Sequence, residues 1–305
     1  MTFRTVFSSK LTERQIHNIF VQKKHGKKIS CSHCLGRKIL WVSDKRFRCK
    51  TCWSFGSITK DTWLQRSKFS LRFWYELVWN FVLCHSANKT SKLLRNDVKM
   101  CWQGYQLIRK SLVQASYRGR KKITGTIELD ESFYGGTFKN LRKKVKQELR
   151  KLGLNKRGGG AKYRKQPVFG IFKRNGKVYL EPIPEAKAKV LSPLITKKIR
   201  VGSNVFSDTG TWYAGLVGLG YMHKTVDHGK QEYVAGEVHI NGLEGFWGVS
   251  KTNMHTYKGI KKTNWLLYLK EMEFRYNYRK LNFDEMVEKI IKILMSYKRS
   301  NFVPY

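Results

Sequence analysis

The stretch Ile127-Glu-Leu-Asp-Glu-Ser-Phe-Tyr-Gly-Gly136 decides the fold, because it places three carboxylates inside a segment that otherwise has the composition of a β-strand. Ile127 and Leu129 alternate with Glu128 and Asp130, so an extended backbone would put apolar side chains on one face and acids on the other. A carboxylate near an apolar core is costly unless it is paired or binds a metal. The stretch alone leaves two explanations open, a structural salt bridge with one of the many lysines or a metal site.

The composition of the whole chain is strongly basic. Its 305 residues contain 61 lysines and arginines against 21 aspartates and glutamates, a formal net charge of +40. The hydrophobic fraction of 41% is enough for a core and excludes a disordered basic tail. Such a charge predicts a polyanionic partner, and nucleic acid is the first candidate because neutralised phosphates release counterions. An anionic membrane ranks well below, since the basic residues are not gathered on one amphipathic helix.

The chain has no sequence feature of export or membrane insertion. Residues 1–10 lack an apolar core, and the most apolar run, residues 73–84, is interrupted by Glu76 and Asn80 and is too short to span a bilayer. We therefore expect an intracellular protein without membrane association, which would be cytoplasmic and nucleoid-associated in a prokaryote or nuclear in a eukaryote.

Four of the six cysteines form two Cys-x-x-Cys pairs separated by fourteen residues: Cys31, Cys34, Cys49 and Cys52. Two such pairs supply four thiolates in a tetrahedral array for zinc, and four protein ligands make the zinc structural. Residues 38–43 and 46–49 are predicted to form the two strands of a ribbon hairpin between them. Four unrelated buried cysteines are the alternative, and a redox pair would not explain two motifs. His33 is predicted to be a bystander.

Residues 71–115 have the apolar periodicity of helices, with breaks near residues 85–86 and 95–97. Asn96-Asp97 is predicted to cap the third helix. Its buried stripe would be Val98, Cys101, Trp102, Tyr105 and Ile108. Its other face would present residue types that reach bases and phosphates, namely Lys99, Gln103, Gln106, Arg109 and Lys110. The pattern resembles a helix-turn-helix with a recognition helix, although three such helices also form a common bundle. Cys84 and Cys101 are predicted to be core residues.

From residue 121 the predicted order is strand, strand, strand, helix, strand, helix, strand, helix, with the second helix at residues 209–219. A basic run at residues 139–165, which ends in a glycine-rich segment, is expected to contact the DNA backbone. Acids occur on the first strand (Asp130), at the end of the fourth (Asp208) and on the late helix (Glu244), with Lys251 on the same helix face as Glu244. Three converging carboxylates would form an oxygen site for two Mg²⁺ ions. The alternative is three unrelated surface acids.

Four segments together resemble the Merlin-type DDE transposases and their bacterial insertion-sequence relatives: residues 130–136, 168–179, 206–209 and 239–247. The resemblance implies an α/β fold with an RNase H-like core, a mixed five-stranded sheet with helices, preceded by a zinc ribbon and a helix-turn-helix. It implies that Asp130, Asp208 and Glu244 bind catalytic Mg²⁺ or Mn²⁺. Asn241 could share the third role, because some relatives carry Asn there, and Glu131 is expected beside the ligands. Lys251 matches a basic residue of the relatives and is expected against DNA.

The resemblance also implies cut-and-paste transposition, with the ribbon and helix-turn-helix binding terminal inverted repeats, target DNA as second substrate, and a homodimer or higher synaptic assembly. Predicted domains are an N-terminal helical segment (1–28), a zinc ribbon (29–60), a helix-turn-helix domain (61–118), a catalytic domain (119–280) with a basic insertion (139–166), and a C-terminal helix (281–305). The alternatives are a domesticated DNA-binding regulator without catalysis and an RNase H-type nuclease that cuts RNA in hybrids.

Overall fold

The computed structural model describes residues 11–26, 28–118, 122–135, 143–153, 165–226, 239–257 and 260–296. The chain forms two compact units, one of Met1–Arg118 together with Tyr278–Tyr305 and the other of Gly119–Asn277. No helix in these described ranges is long and apolar enough to cross a lipid bilayer.

The first unit begins with helix α1, Glu13–His25, followed by a small antiparallel sheet of β1, β2 and β3 in that order. The strands are Ile39–Trp41, Arg46–Cys49 and Phe55–Ser57. The hairpin of β1 and β2 confirms the sequence prediction, whereas β3 was not predicted. Its Gly56 pairs with Phe47, and a side chain at residue 56 would collide with the buried Phe47 ring.

Three helices follow the sheet, α2 (Leu71–Val82), α3 (Ala87–Leu94) and α4 (Val98–Tyr117). Ser70, Ser86 and Asp97 cap them through side-chain acceptors, as Ser, Asp and Asn do at helix starts. The last helix, α9 (Phe283–Ser296), begins with a capping box of Asn282 and Glu285 and packs against α1, α2 and α4.

The structure corrects several burial predictions in these helices. Val98 and Trp102 are 46% and 47% exposed, so the buried stripe of α4 contains Cys101, Tyr105 and Ile108 without them. Cys84 is exposed because α2 has already ended, and its backbone adopts a φ of 58°. The helices themselves lie where the periodicity predicted them.

The second unit contains a five-stranded mixed sheet in the order β6-β5-β4-β7-β8. The strands are β4 (Thr126–Tyr134), β5 (Gln166–Lys173), β6 (Val178–Pro182), β7 (Asn204–Asp208) and β8 (Met222–Val226). Strands β4, β5 and β6 pair antiparallel, while β7 runs parallel to β4 and β8 parallel to β7. A turn at Asn175-Gly176, a dipeptide typical of hairpins, joins β5 and β6, with Asn175 at a φ of 53°. The segment that decided the fold is therefore the central strand.

Helices α5 (Lys143–Lys151), α6 (Ala188–Lys198), α7 (Asn241–His255) and α8 (Trp265–Asn277) complete this unit. Helices α7 and α8 cover the sheet through a core that contains Leu243, Phe246, Trp247, Leu269 and Met272. The predicted helix at residues 209–219 is wrong: only Thr211–Tyr213 forms a 3₁₀ turn. Four glycines in residues 210–220 explain the difference, because each costs backbone entropy in a helix.

Parts of the predicted elements lie outside the described residues. These are the start of the N-terminal segment, most of the basic insertion with its triple glycine, residue 238 before α7, and the chain after residue 296.

Candidate catalytic and metal sites

Two of the three predicted carboxylates, Asp130 and Asp208, lie side by side on neighbouring strands of the sheet. Strands β4 and β7 are parallel, and Glu128 pairs with Phe206 in their register. Asp130 and Asp208 each lie two residues further along, so they occupy equivalent positions on neighbouring strands, which are about 4.8 Å apart in a sheet. The carboxyl ends of parallel strands are where open α/β sheets place their ligand sites.

The third carboxylate, Glu244, lies in the first turn of α7 and is exposed. Both Glu244 and Asp208 are near enough to Asp130 to raise its pKa electrostatically. Asn241, at the first position of α7, and Lys251, two turns beyond Glu244, are also exposed. Trp247, predicted on the same helix face, is 5% exposed and instead points to the sheet, where its indole N–H donates to Asp130 Oδ2 at 2.9 Å.

Asp130 is held in an unusual environment for an acid. Burial raises its pKa to about 6, the hydrogen bonds from the Trp247 indole and the Glu131 backbone N–H oppose this rise, and the charges of Asp208 and Glu244 add to it. Since these two donors fix both carboxylate oxygens, the side chain has a defined orientation without a bound cation.

Glu131 lies on the same strand and is a second partly buried acid. Burial raises its pKa to about 7; the Tyr213 hydroxyl, which donates to Glu131 Oε1, opposes the shift, and Asp130 and Asp208 add to it. Burial and Glu131 in turn raise the pKa of the Tyr213 hydroxyl well above its usual value. Trp212 also lowers the pKa of Glu131, but its buried Nε1 has no partner within hydrogen-bond distance among the described residues.

The oxygen atoms of the three carboxylates do not lie as close together as the ligands of a single-ion site. Within the described residues, the four cysteine sulfurs are the only set of three or more ligand atoms that all lie within 4.8 Å of one another. Asp130, Asp208 and Glu244 interact electrostatically but form no such set. Ligands of a two-ion site are spread around cations about 3.5–4 Å apart, so they need not all approach one another closely.

The cysteine cluster has the geometry that zinc requires. The Sγ atoms of Cys31 and Cys52 are 3.6 Å apart and those of Cys34 and Cys49 are 3.5 Å apart. These distances match the edges of a tetrahedron with metal–sulfur bonds of about 2.3 Å. Backbone N–H groups of His33 and Thr51 donate to the sulfurs of Cys31 and Cys49. The hydrogen bond with the Ser54 hydroxyl lowers the pKa of Cys31 to about 6.

Comparison with known proteins identifies the family of the chain. A family model of the ISXO2-like transposase domain matches residues 122–277, which include Asp130, Asp208 and Glu244. The chain belongs to the ISXO2-like transposase family. The finding confirms the resemblance to bacterial insertion-sequence transposases that the motifs indicated.

Two curated relatives agree with this ISXO2-like assignment. The "uncharacterized protein in transposable element ISH50" of Halobacterium salinarum is 22% identical over 272 residues, which are 87% of this chain and 91% of the relative. An "uncharacterized transposase-like protein" of Haemophilus influenzae is 33% identical over 101 residues, 33% of this chain and 81% of the relative. The family match coincides with the second unit, whereas the cysteine cluster lies outside it.

Outside the ISXO2-like domain, the predicted DNA-reading face of α4 is only partly available. Lys99, Gln103 and Lys110 are exposed, whereas Gln106 and Arg109 are 7% and 3% exposed. Helix α4 packs against α2, α3 and α9, which cover more of its circumference than one apolar stripe. Arg109 lies over the rings of Phe81 and Tyr105. The prediction that Gln106 and Arg109 reach bases is therefore corrected.

Sequence reasoning missed two residues of the ISXO2-like domain that contact the elements carrying the carboxylates. Glu128 was treated as one more acid of the central strand, but it is fully buried and paired with Arg174 at 2.9 Å. The salt-bridge explanation thus applies to Glu128, while Asp130 and Glu131 have no cation partner among the described residues. Arg174, in the β5–β6 turn, was assigned no role. The sequence feature that could have indicated a role for Glu128 was its position two residues before Asp130, on the same face of the strand.

Proposed function

We propose that the chain is a DDE transposase that cuts its element from DNA and joins it to a target. The observation that carries this proposal is the equivalent placement of Asp130, in the middle of β4, and Asp208, at the end of the parallel strand β7, with Glu244 on the helix packed against β4. The family match to residues 122–277 supports it. The strand order and directions, three antiparallel strands followed by two parallel ones, support the assignment of an RNase H-like core.

The donor set fits divalent magnesium or manganese. Three carboxylates supply hard oxygen ligands, and Asp130 is a partly buried acid whose charge lacks a cation partner among the described residues. Asp130, Asp208 and Glu244 would hold Mg²⁺ or Mn²⁺, with Asn241 and Glu131 beside them. Bound there, the metal would supply Lewis-acid activation of the attacking oxygen and neutralise charge on the leaving oxygen.

The proposed reaction has two displacements at phosphorus. Water adds to the phosphate at an element end and the bond to the bridging 3′ oxygen breaks, which leaves a 3′-hydroxyl on one side and a 5′-phosphate on the other. The freed 3′ oxygen then attacks a target phosphate and displaces a second 3′ oxygen. The protein's part is to hold Asp130 through Trp247 and Glu131, and to place Lys251 on the solvent face of α7 where it can contact the DNA backbone.

Recognition of the terminal inverted repeats is assigned to the first unit. Lys99, Gln103 and Lys110 remain on the exposed side of α4, which we assign as the recognition helix of a helix-turn-helix. Joining two ends requires two copies, so we propose a homodimer or larger synaptic assembly. A structural zinc in the cysteine cluster would hold the small sheet that precedes these helices.

One face of that small sheet is a second candidate for DNA contact, and we call it the ribbon face: Leu40, Arg46, Arg48, Trp53 and Phe55. Arg48 pairs with Leu40 on one side and Phe55 on the other, while the opposite face buries Phe47. Arg48 lies 4.6 Å from the Trp53 ring centre, and Trp53 and Phe55 are 58% and 59% exposed. Residues 29–60 contain seven lysines and arginines and a single acid, Asp44. Arginines between exposed aromatic rings suit a phosphate backbone and its bases.

The proposal is tested by strand cleavage on DNA that carries the inverted repeats flanking the gene, with full-length protein and Mg²⁺. Asp130→Asn and Asp208→Asn are expected to lower cleavage by at least about a thousandfold, because loss of one ligand removes the clamp on the reacting oxygens. Both variants should bind the same DNA with wild-type affinity. Glu148→Gln removes an exposed acid from α5 of the same unit and should cleave normally.

The outcomes separate the competing functions. Cleavage retained in Asp130→Asn would refute the carboxylate assignment. Repeat binding without cleavage by the wild-type protein would favour a DNA-binding regulator. Preferential cutting of RNA in a hybrid would favour a nuclease of the RNase H type.

A further inference from the structure

The buried pair of Glu128 and Arg174 is joined to the beginning of the helix that carries Glu244. Glu128 Oε1 accepts a hydrogen bond from Arg174 Nε at 2.9 Å, and Glu128 Oε2 accepts one from the backbone N–H of Leu243 at 2.9 Å. Leu243 directly precedes Glu244. The N-cap residue of α7, Ile240, has no side chain that caps the helix. The Glu128 carboxylate accepts a first-turn N–H in its place, as the side chain of an N-cap residue would.

Arg174 contacts both strands that carry predicted metal ligands and the residue two positions before the helix that carries the third. It pairs with Glu128 on β4, two residues before Asp130. Its guanidinium lies 4.7 Å from the ring centre of Phe206 on β7, two residues before Asp208. Its Nη2 donates to the carbonyl oxygen of His239 at 2.6 Å, just before α7. A planar guanidinium with five donors can make these contacts at once, which a lysine ammonium cannot.

The same face of β4 binds α7 at a second point, one helical turn further along α7. Glu128 and Asp130 are two residues apart on the strand and therefore face the same side. Glu128 binds the Leu243 N–H, and Asp130 binds the indole N–H of Trp247. Leu243 and Trp247 are four residues apart, so both contacts lie on one face of α7.

Two glycines allow the helix to lie this close to the sheet. A Cβ atom at Gly170, which pairs with Asp130 across β4 and β5, would come within 2.6 Å of the Trp247 ring. A Cβ atom at Gly242 would come within 2.3 Å of Phe172 and 3.0 Å of Glu128 Oε2. Helix α7 therefore has one tightly defined position on the sheet, and with it the backbone position of Glu244.

We propose that Glu128 and Arg174 are positioning residues that set the distance of Glu244 from Asp130 and Asp208, and so the affinity of the site for its divalent cation. The inference rests on the proposed function, because it assumes that these three carboxylates share a metal site. Neither residue touches the reacting atoms, and each acts through the first turn of α7.

A purely structural salt bridge is the competing explanation, and the chain contains a matched control for it. Glu271 and Arg275 form another buried pair in the second unit, with side-chain exposures of 0% and 17% against 0% and 20% for Glu128 and Arg174. The Glu271 carboxylate also accepts a hydrogen bond from a neighbouring side chain, Tyr257. The pair lies on α8, and its contact with Tyr257 comes just after the end of α7, at the opposite end of that helix from Glu244.

The experiment measures Mn²⁺ binding to zinc-loaded, full-length protein by electron paramagnetic resonance, together with thermal unfolding and the metal dependence of DNA cleavage. Glu128→Gln keeps the size of the side chain but removes the charge that holds Arg174. We expect the Mn²⁺ concentration for half-saturation to rise at least about tenfold in Glu128→Gln and to stay within about twofold in Glu271→Gln. DNA affinity should be unchanged in both.

Arg174→Lys is the second variant, in case Glu128→Gln does not fold. A lysine keeps the charge but cannot bridge Glu128 and His239 as a fork, so half-saturation should rise at least about threefold, and excess Mn²⁺ should restore cleavage. Wild-type metal binding in both Glu128→Gln and Arg174→Lys, or an equal loss in Glu271→Gln, would overturn the inference. Mn²⁺ binding by the wild-type protein that Asp130→Asn leaves unchanged would instead refute the proposed function.

Discussion

The cysteine cluster and the carboxylate site are both candidate metal sites, but they are built in opposite ways. The four sulfurs come from residues 31–52, and the backbone turns that place them also donate N–H groups to them. The three carboxylates come from positions 130, 208 and 244 on two strands and a helix, and their positions depend on other side chains such as Trp247 and Glu128. The cysteine sulfurs come from one short segment and lie close together, whereas the carboxylates come from elements that are distant along the chain.

The difference fits what each proposed metal would have to do. A structural zinc stabilises a segment that cannot bury enough apolar surface by itself, so its ligands belong to that segment. A catalytic pair of ions must leave coordination positions open for DNA, so its ligands are spread and repel one another until cations arrive. The cysteines are expected to determine whether the ribbon folds, and the carboxylates whether the folded protein reacts.

The largest expected effect comes from breaking the cysteine cluster. Cys49→Ser removes a buried ligand, and zinc sites in small domains contribute on the order of 10 kcal/mol to folding. We expect the zinc content to fall from about one atom per chain to near zero, and residues 29–60 to become sensitive to proteases, with β4–β8 still folded. Metal analysis and limited proteolysis measure both.

Cys84→Ser is the control for this change, because Cys84 is exposed and lies outside the cluster. It should keep full zinc content and wild-type resistance to proteolysis. If Cys49→Ser also retained zinc and an intact ribbon, the contrast between a folding metal and a catalytic metal would be lost.

The pH dependence of stability tests the opposite side of the comparison, the burial and mutual repulsion of the carboxylates in metal-free protein. Burial raises the pKa of Asp130 from 3.8 to about 6 and that of Glu131 from 4.5 to about 7. The folded state therefore holds protons that the unfolded state has released, so the two acids stabilise the protein at low pH and this stability is lost as the pH rises through about 6 and 7. In metal-free buffer we expect the free energy of unfolding to fall by about 3 to 4 kcal/mol between about pH 5 and about pH 7.

Thermal unfolding of Asp130→Asn and Glu131→Gln beside the wild-type protein isolates this contribution. Both variants should show a flatter pH dependence, Glu148→Gln should match the wild type, and added Mg²⁺ should reduce the loss at neutral pH. Stability that rises toward pH 7 in the wild type, with no difference in Asp130→Asn, would mean that these acids are not strained by burial.

The same contrast explains which features could be predicted from the sequence. The zinc ligands, the caps at Asp97 and Asn282 and the Asn175 turn depend on residues a few positions apart, and a pattern of that length can be recognised in one chain. The strand of Asp130 and its central place in the sheet also follow from its apolar and acidic alternation. Family motifs identified Asp208 and Glu244 as candidates.

What could not be predicted depends on contacts between distant residues. Glu128 and Asp130 have the same alternation on the strand, and only Arg174, 46 positions away, makes one a buried ion pair and leaves the other as a candidate ligand. Arg109 and Gln106 occupy the polar side of α4 by periodicity, yet a neighbouring helix from the end of the chain, α9, adds to the surface that buries α4. Periodicity predicts which face of a helix is apolar, but it does not show how many other helices pack against that helix.

The smallest expected effect concerns the ribbon face. It tests whether DNA binding depends on the ribbon while strand cleavage depends on the carboxylate site. Arg48→Ala removes one half-buried cation between Trp53 and Phe55. If the ribbon face contacts phosphates, affinity for repeat DNA should fall roughly fivefold, about 1 kcal/mol, and the slope of log affinity against log salt should decrease by about 0.9. Fluorescence anisotropy at several salt concentrations measures both, and the cleavage rate at saturating DNA should stay unchanged.

Lys60→Ala and Trp53→Ala distinguish the kinds of contact behind this effect. Lys60 is an exposed cation outside the three strands, so its loss should leave the affinity and the salt slope nearly unaltered. Trp53→Ala should weaken binding without changing the salt slope, because a stacked base releases no counterion. An equal slope change in Lys60→Ala would show that net charge alone draws the ribbon to DNA. A slower cleavage rate at saturating DNA in Arg48→Ala would show that the ribbon also shapes the reacting complex, and binding and chemistry would then not be separable between the two units.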